Sequence, residues 1–240
     1  MQKSVAQPDG DPQGGSRRRD SAYERLLFAI IYGDLVPGSA VDEKTLAEDH
    51  KLGLAAVRDA LYRLSLEGLV ERQPRIGTRI GTLGIRELRE VFEARVMLEG
   101  GVAELAAERA NATAIAAMRQ ALEGFEQVVE ARDFRRLVRM DRAFHQSLAS
   151  ATHNAMLLRQ VTLIHNDAAR FWYFGLPRLD PASVCADIAS HMEVVDAIER
   201  RDPAAAKRAM RAVLGHFPDN VREFLAGPIL FQDRRLEADD

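Results

Sequence analysis

The sequence predicts a mainly α-helical protein in two parts: three short helices closed by a small β-hairpin, then an all-helical bundle. Three observations carry this. Apolar residues recur at helical spacing over nearly the whole chain from Glu87 to Leu225. Before that, Gly33, Pro37-Gly38 and Gly53 cut the helical pattern into short pieces. One stretch, Leu69 to Ile80, alternates instead and carries Pro74 and Gly77 at its middle, the pattern of two paired strands. At 240 residues the chain is long enough for two modest domains, each with its own core.

The first element is a tail. Residues 1–19 are rich in Gly, Pro, Gln and Ser, end in Arg17-Arg18-Arg19, and read as disordered. The basic run is either a solvated charge run or an arm on phosphate. Residues 20–82 follow as one domain. Tyr23, Leu26, Leu27, Ile30 and Ile31 share one face of a first helix that Gly33 can end. Leu35 to Ser39 form a turn, and Asp42 then caps a short second helix with Leu46 and Ala47 on its buried side. After Lys51-Leu52-Gly53 a third helix runs through Val57, Ala60, Leu61 and Leu64 to Gly68. Two short helices, a tight turn and a helix with a polar face have the dimensions of a helix-turn-helix. The hairpin after it is a wing, with Arg72, Arg75 and Arg79 placed to meet backbone phosphates.

Residues 83–228 read as helices only, with breaks near Asn111, Arg132, Asn154, Leu176 to Pro181 and Asp202-Pro203, giving about six helices. Residues 229–240 read as a frayed tail. In the helix from Arg86 to Ala110, Arg95 and Glu99 form an i,i+4 pair, by default a structural ion pair. Arg95 is also a carboxylate clamp if it faces a cavity. Asp141 and His145 lie one turn apart on one helix face, which is chelating spacing, although the pattern also arises by chance. His191 on a later helix is by itself most simply a packed or exposed residue. Phe171, Trp172, Tyr173 and Phe174 cannot all be core, and so line a pocket or a subunit face.

Composition excludes several classes. No apolar run approaches the roughly 20 residues of a membrane span, and the N-terminal stretch has no apolar segment to act as a secretory signal. The single Cys185 rules out an internal disulfide framework, fits a reducing cytoplasm, and reads as a small hydrophobe on a helix. Residues 17–82 carry 11 Lys/Arg against 10 Asp/Glu, and 83–240 carry 21 against 24. That contrast is too small to point to nucleic acid by charge alone.

The string Gly33…Pro37-Gly38…Glu43-x-x-Leu46-Ala47…Val57-Arg58-Asp59-Ala60-Leu61-x-Arg63-Leu64…Glu67-Gly68-Leu69-Val70…Gly77 resembles the N-terminal domain of the GntR family of bacterial regulators. The resemblance implies a winged helix-turn-helix on double-stranded operator DNA. Its DNA-binding set here is Lys44, Arg58 and Arg63, with Arg72, Arg75, Gly77 and Arg79 of the wing. The chain departs from the family where a Ser/Thr-Arg-Thr-Pro run usually opens the recognition helix: Gly53-Leu54-Ala55-Ala56 stands there. An arginine on guanine contributes roughly 1–3 kcal/mol of discrimination. Leu54 can touch only a thymine methyl or pack, so weaker selectivity or a different operator is expected.

Glu93-x-Arg95, Asp141-x-x-x-His145, Asn154, His191, Ala197-Ile198, Asp202 and Ala209-Met210 resemble the FadR-type C-terminal domain of the same family, called FCD. That resemblance implies a divalent metal (Zn, Ni or similar) on Asp141, His145 and His191, a small carboxylate effector, with Arg95 as its clamp, and a homodimer. The fourth ligand position falls at Val213, 22 residues after His191, and does not match; His216 lies about one turn on. Three arrangements stay open: a three-ligand metal site, direct ligand binding without metal, or His216 completing the shell. The expected function is an effector-controlled transcription regulator, more commonly a repressor, in the cytoplasm and away from membranes. A partner-binding helical module and a metal-dependent hydrolase are the alternatives. No nucleophile–base pair or phosphate-cradling loop supports an enzyme.

Overall fold

The computed structural model describes residues 12–73, 75 and 77–225, with side chains for 20–73, 75 and 77–215. Contacts divide the chain into two compact units, one through Thr82 and one from Leu83. The first contains α1 (Pro12–Ile31), β1 (Ala40–Val41), α2 (Glu43–Asp49), α3 (Leu54–Leu66), β2 (Val70–Gln73) and β3 (Gly77–Ile80).

Helix α1 is longer than its apolar face requires. The segment expected to be disordered is helical from Pro12 onward. Proline is preorganised for the start of a helix and the arginines at 17–19 are good helix formers, while Gly14 and Gly15 between them oppose it by roughly 1 kcal/mol each. Residues 1–11 and the expected frayed tail 229–240 lie outside the described residues. Leu26, Leu27, Ile30 and Ile31 of α1 are fully buried and α1 packs on α3, whose Val57, Ala60, Leu61 and Leu64 are also fully buried. Each such Leu or Ile contributes roughly 1.5–3 kcal/mol of burial. Asp42 caps α2 as expected, accepting from the Thr45 backbone N–H at 2.8 Å. Helix α3 has Gly53 at its N-cap and no side-chain cap.

The wing is a three-stranded sheet in the order β1-β3-β2 rather than a bare hairpin. Strand β1 pairs Ala40 with Arg79 and Val41 with Thr78; β2 pairs Val70 with Ile80 and Gln73 with Gly77. A strand of two residues is too short to show alternation, so sequence pattern could not reveal it. Gly77, at φ 118°, closes the hairpin in a conformation that side chains resist.

The second unit holds seven α-helices among the described residues: α4 (Ile85–Arg109), α5 (Ala112–Ala121), α6 (Phe125–Glu130), α7 (Phe134–Ser150), α8 (Ala155–Gly175), α9 (Pro181–Glu199) and α10 (Pro203–Leu225). Helix α4 is the hub and packs against α7, α8, α9 and α10. Its small residues permit close approach: Ala103, Ala106 and Ala107 are fully buried. A Cβ on Gly100 would meet the Arg211 side chain of α10 at 3.3 Å. The breaks expected at Asn111, Asn154 and Asp202-Pro203 are helix starts, capped by the side chains of Asn111, Asn154 and Asp202. One break was not expected. Gly124, at φ 73°, separates α5 from α6, although the apolar spacing of Met118, Leu122 and Phe125 continues across it.

Candidate functional site

In the first unit the outward row of α3 is Ala55, Arg58 and Tyr62, with Leu54 half-buried. Arg58 donates from Nε to Glu43 Oε2 at 2.7 Å, and Arg72 Nη2 reaches Glu43 Oε1 at 3.4 Å. Glu43, at the start of α2, thus gathers one arginine of the recognition helix and one of the wing. Lys44 and Arg75 are exposed, and Arg79 donates to the Gly38 carbonyl at 2.9 Å. Arg63 turns the other way. It pairs with Asp20 at 3.0 Å and stacks on the Tyr23 ring of α1 at 4.1 Å, away from the Ala55–Arg58–Tyr62 row. Tyr62, 52% exposed one turn after Arg58, went unremarked in the sequence because a tyrosine on α3 is as readily a core residue.

The second unit brings Asp141 and His145 of α7 together with His191 of α9. One ligand atom from each lies within 4.8 Å of the other two, and all three residues are buried. Asp141 Oδ1 stands 3.5 Å from His145 Nε2 and 3.4 Å from His191 Nε2. Those spacings suit ligands that each sit about 2.0–2.2 Å from a shared ion.

Every ligand group is also held from behind. His191 donates from Nδ1 to the Asp187 carbonyl at 3.0 Å, which fixes the tautomer with a lone pair on Nε2. That Nε2 is buried and has no hydrogen-bond partner. His145 Nδ1 contacts Glu99 Oε2 at 2.5 Å, and Glu99 Oε1 accepts from Arg95 Nε at 2.6 Å. Asp141 Oδ2 accepts from His165 Nε2 of α8 at 2.8 Å. Two of these supports were absent from the sequence reading: His165 altogether, and Glu99 as a partner of His145.

Electrostatics in this buried cluster are strong. Burial alone would push the Asp141 carboxyl up, but the charge of His145 close by and the hydrogen bond from His165 hold it well below the usual carboxylate range. Glu99 is likewise pushed up by burial and pulled further down by Arg95 and His145. Burial disfavours the His145 imidazolium, yet Glu99 and Asp141 carry it up to about 9 against the opposing charge of Arg95. For His165 burial prevails and brings it down to about 4. A cluster that favours positive charge between two anionic carboxylates, with an orphaned imidazole nitrogen facing it, fits a divalent cation.

Phe92, Arg95, Trp172, Val213 and Leu214 complete the wall of a small cavity at this cluster. Arg95 therefore fills both sequence readings: it is ion-paired to Glu99 and it lines the cavity, its Nη2 3.1 Å from His145 Nε2. Val213 reaches the site as the spacing predicted and offers only methyl groups. The His216 side chain lies outside the described residues. Of the aromatic run, Phe171 and Trp172 are buried and Tyr173 and Phe174 are half-buried. Burial pushes the half-buried Cys185 thiol up, as expected of a packing residue rather than a reactive one.

Residues 90–216 match the family model of the FCD domain, and residues 18–80 match that of the bacterial regulatory proteins, gntR family. The chain belongs to the GntR family. As a GntR-family member with an FCD domain it is a DNA-binding transcription regulator. It is 30% identical over 185 residues to a Paenarthrobacter nicotinovorans protein named "Probable D-xylose utilization operon transcriptional repressor", covering 77% of this chain and 80% of that one. It is 28% identical over 224 residues to the HTH-type transcriptional regulator LutR of Bacillus subtilis, covering 80% of this chain and all of the other. Among solved structures, Escherichia coli McbR/YncC superposes with a TM-score of 0.76 at 19% identity, over 86% of this chain and 98% of that one, which shows a shared fold. These relatives regulate transcription, and no described helix is long and apolar enough to cross a membrane.

Proposed function

We propose that this regulator is a cytoplasmic homodimeric repressor whose affinity for operator DNA is set by a small carboxylate bound in the helical unit beside a divalent metal. The supporting observation is the convergence of Asp141, His145 and His191, each oriented by a second residue, in a cavity that Arg95 also lines. Residues 20–82 read the operator and 83–228 bind the effector and pair the subunits. Lys44, Arg58, Arg72, Arg75 and Arg79 meet the DNA, Gly77 shapes the wing, and Arg63 anchors α3 to α1.

At the helical site, Asp141 Oδ1 and the Nε2 atoms of His145 and His191 would hold the ion, of the class of Zn or Ni. A divalent ion with three protein ligands supplies open positions to an anionic oxygen. Arg95, kept in place by Glu99, offers its remaining N–H groups to the same carboxylate. Effector binding then biases the placement of the two winged units, and operator affinity changes by the difference in effector affinity between the two arrangements.

Operator binding is to be measured on metal-loaded and chelator-treated protein across a panel of small mono- and dicarboxylates, with Asp141→Ala alongside. At least one acid is expected to change operator affinity about 5–150-fold in the loaded wild type and to have no effect in the variant. An equal response in chelator-treated protein would transfer the effector to Arg95 alone.

A further inference from the structure

Asp141 offers one oxygen to the cluster and the other to His165. Oδ1 faces the two imidazole Nε2 atoms at 3.4 and 3.5 Å, while Oδ2 is 2.8 Å from His165 Nε2. His165 comes from α8, whose Ala168, Ala169 and Trp172 line the cavity. It sits one turn before Ala168 and Ala169 and two turns before Trp172, on the same face. Its ring is 1% exposed, and its other nitrogen, Nδ1, is buried without a hydrogen-bond partner. A polar atom left unpaired in a core costs free energy and calls for a reason. Here the reason is geometric: Nε2–H must point at Asp141, so the proton cannot also occupy Nδ1 in the neutral ring.

Resting on the reading of Asp141, His145 and His191 as metal ligands, we propose that His165 is a positioning residue of the metal centre, donating from Nε2 to Asp141 Oδ2 so that the carboxylate meets the ion through Oδ1 alone. The role matters in this chain because Val213 lines the cavity where a further nitrogen ligand would stand. With three ligands instead of four, the direction of each contributes more to affinity. An unrestrained Asp141 can rotate and present both oxygens, closing a position that an effector would otherwise take. His165 is not itself a ligand: the three mutually close ligand atoms belong to Asp141, His145 and His191.

The test uses the full chain and Co(II) as the probe, with affinity from chelator competition and geometry from visible absorption. His165→Ala is expected to weaken Co(II) about 10–100-fold and to change the absorption bands, since carboxylate denticity changes. His165→Gln retains an N–H donor and is expected to recover most of the affinity and the wild-type spectrum. It also keeps the test decisive if the alanine variant does not fold. X-ray absorption should count two imidazoles on the ion in wild type and in His165→Gln.

Wild-type affinity in His165→Ala, with binding lost in His191→Ala, would overturn the role of His165 alone. Three imidazoles in wild type falling to two in His165→Gln would overturn it by making His165 a ligand. Co(II) binding unchanged in both Asp141→Ala and His191→Ala, or absent from wild type, would overturn the metal reading and the role with it.

Discussion

The two units place their functional charges in opposite environments. In the winged unit Arg58 and Arg72 pair with Glu43 at the surface, their side chains 59% and 42% exposed. In the helical unit Arg95, Glu99 and His145 pair with side chains no more than 8% exposed. Surface pairs contribute little and exchange partners readily, which suits arginines that must leave a carboxylate for phosphate or a base. Buried pairs are worth much only as a complete set, which suits a site that must keep ligand atoms fixed before a ligand arrives. The difference predicts that the same kind of substitution acts on stability in one unit and on binding in the other.

The largest effect is expected at Glu99. Replacing it by Gln removes the charge between Arg95 and His145 and leaves two buried cationic groups poorly matched, a change of about 3–5 kcal/mol in stability by analogy with broken buried pairs. Denaturant unfolding of the metal-free protein measures it; a midpoint unchanged from wild type would erase the contrast between the two units. Arg58→Ala comes next and acts elsewhere. It should lower operator affinity by roughly 1–3 kcal/mol while unfolding stays within about 0.5 kcal/mol of wild type, as read by a filter or fluorescence binding assay beside a melt.

The buried unit should also carry the pH dependence. His145, raised from 6.5 to about 9, contributes stability that is complete below pH 6.5 and lost as pH rises through 9. His165, lowered from 6.5 to about 4, contributes stability that is complete above pH 6.5 and lost as pH falls toward 4, with Asp141 and Glu99 adding to the loss at the acid end. Melting of metal-free protein is therefore expected to peak near pH 6.5, and metal should flatten the alkaline side because the ion replaces the proton on His145. The smallest effect is at Glu43. Glu43→Gln frees Arg58 and Arg72, leaves stability almost unchanged, and is expected to raise operator affinity less than about tenfold, most clearly at low salt.

The same contrast explains what the sequence could disclose. Helix faces were legible: Val57, Ala60, Leu61 and Leu64 of α3 follow one period, and the burial matches it. So was the pair Asp141 and His145, because both ligands lie on one turn of one helix. Contacts that depend on where helices meet were not. His165 lies 24 residues from Asp141 and joins it only because α7 packs on α8. Glu99 was read as a partner of Arg95, which is correct, but its second oxygen reaches His145 on another helix. Arg63 sits in the family string beside the DNA-reading residues, and only packing against Tyr23 reveals that it faces α1. Periodicity assigns a residue to a face; which neighbour that face meets is a property of the packed unit.

The reading of DNA is the claim on which the rest depends, and α3 with Leu54, Ala55 and Ala56 at its start is where it is most exposed to failure. Selection of genomic fragments by the purified protein, followed by binding to the recovered fragment and to random DNA across a salt series, tests it directly. The expected result is a site of two half-sites about one helical turn apart, bound at least about 10³-fold more tightly than random DNA. Weak binding of equal strength on all sequences, lost steeply with salt, would contradict it.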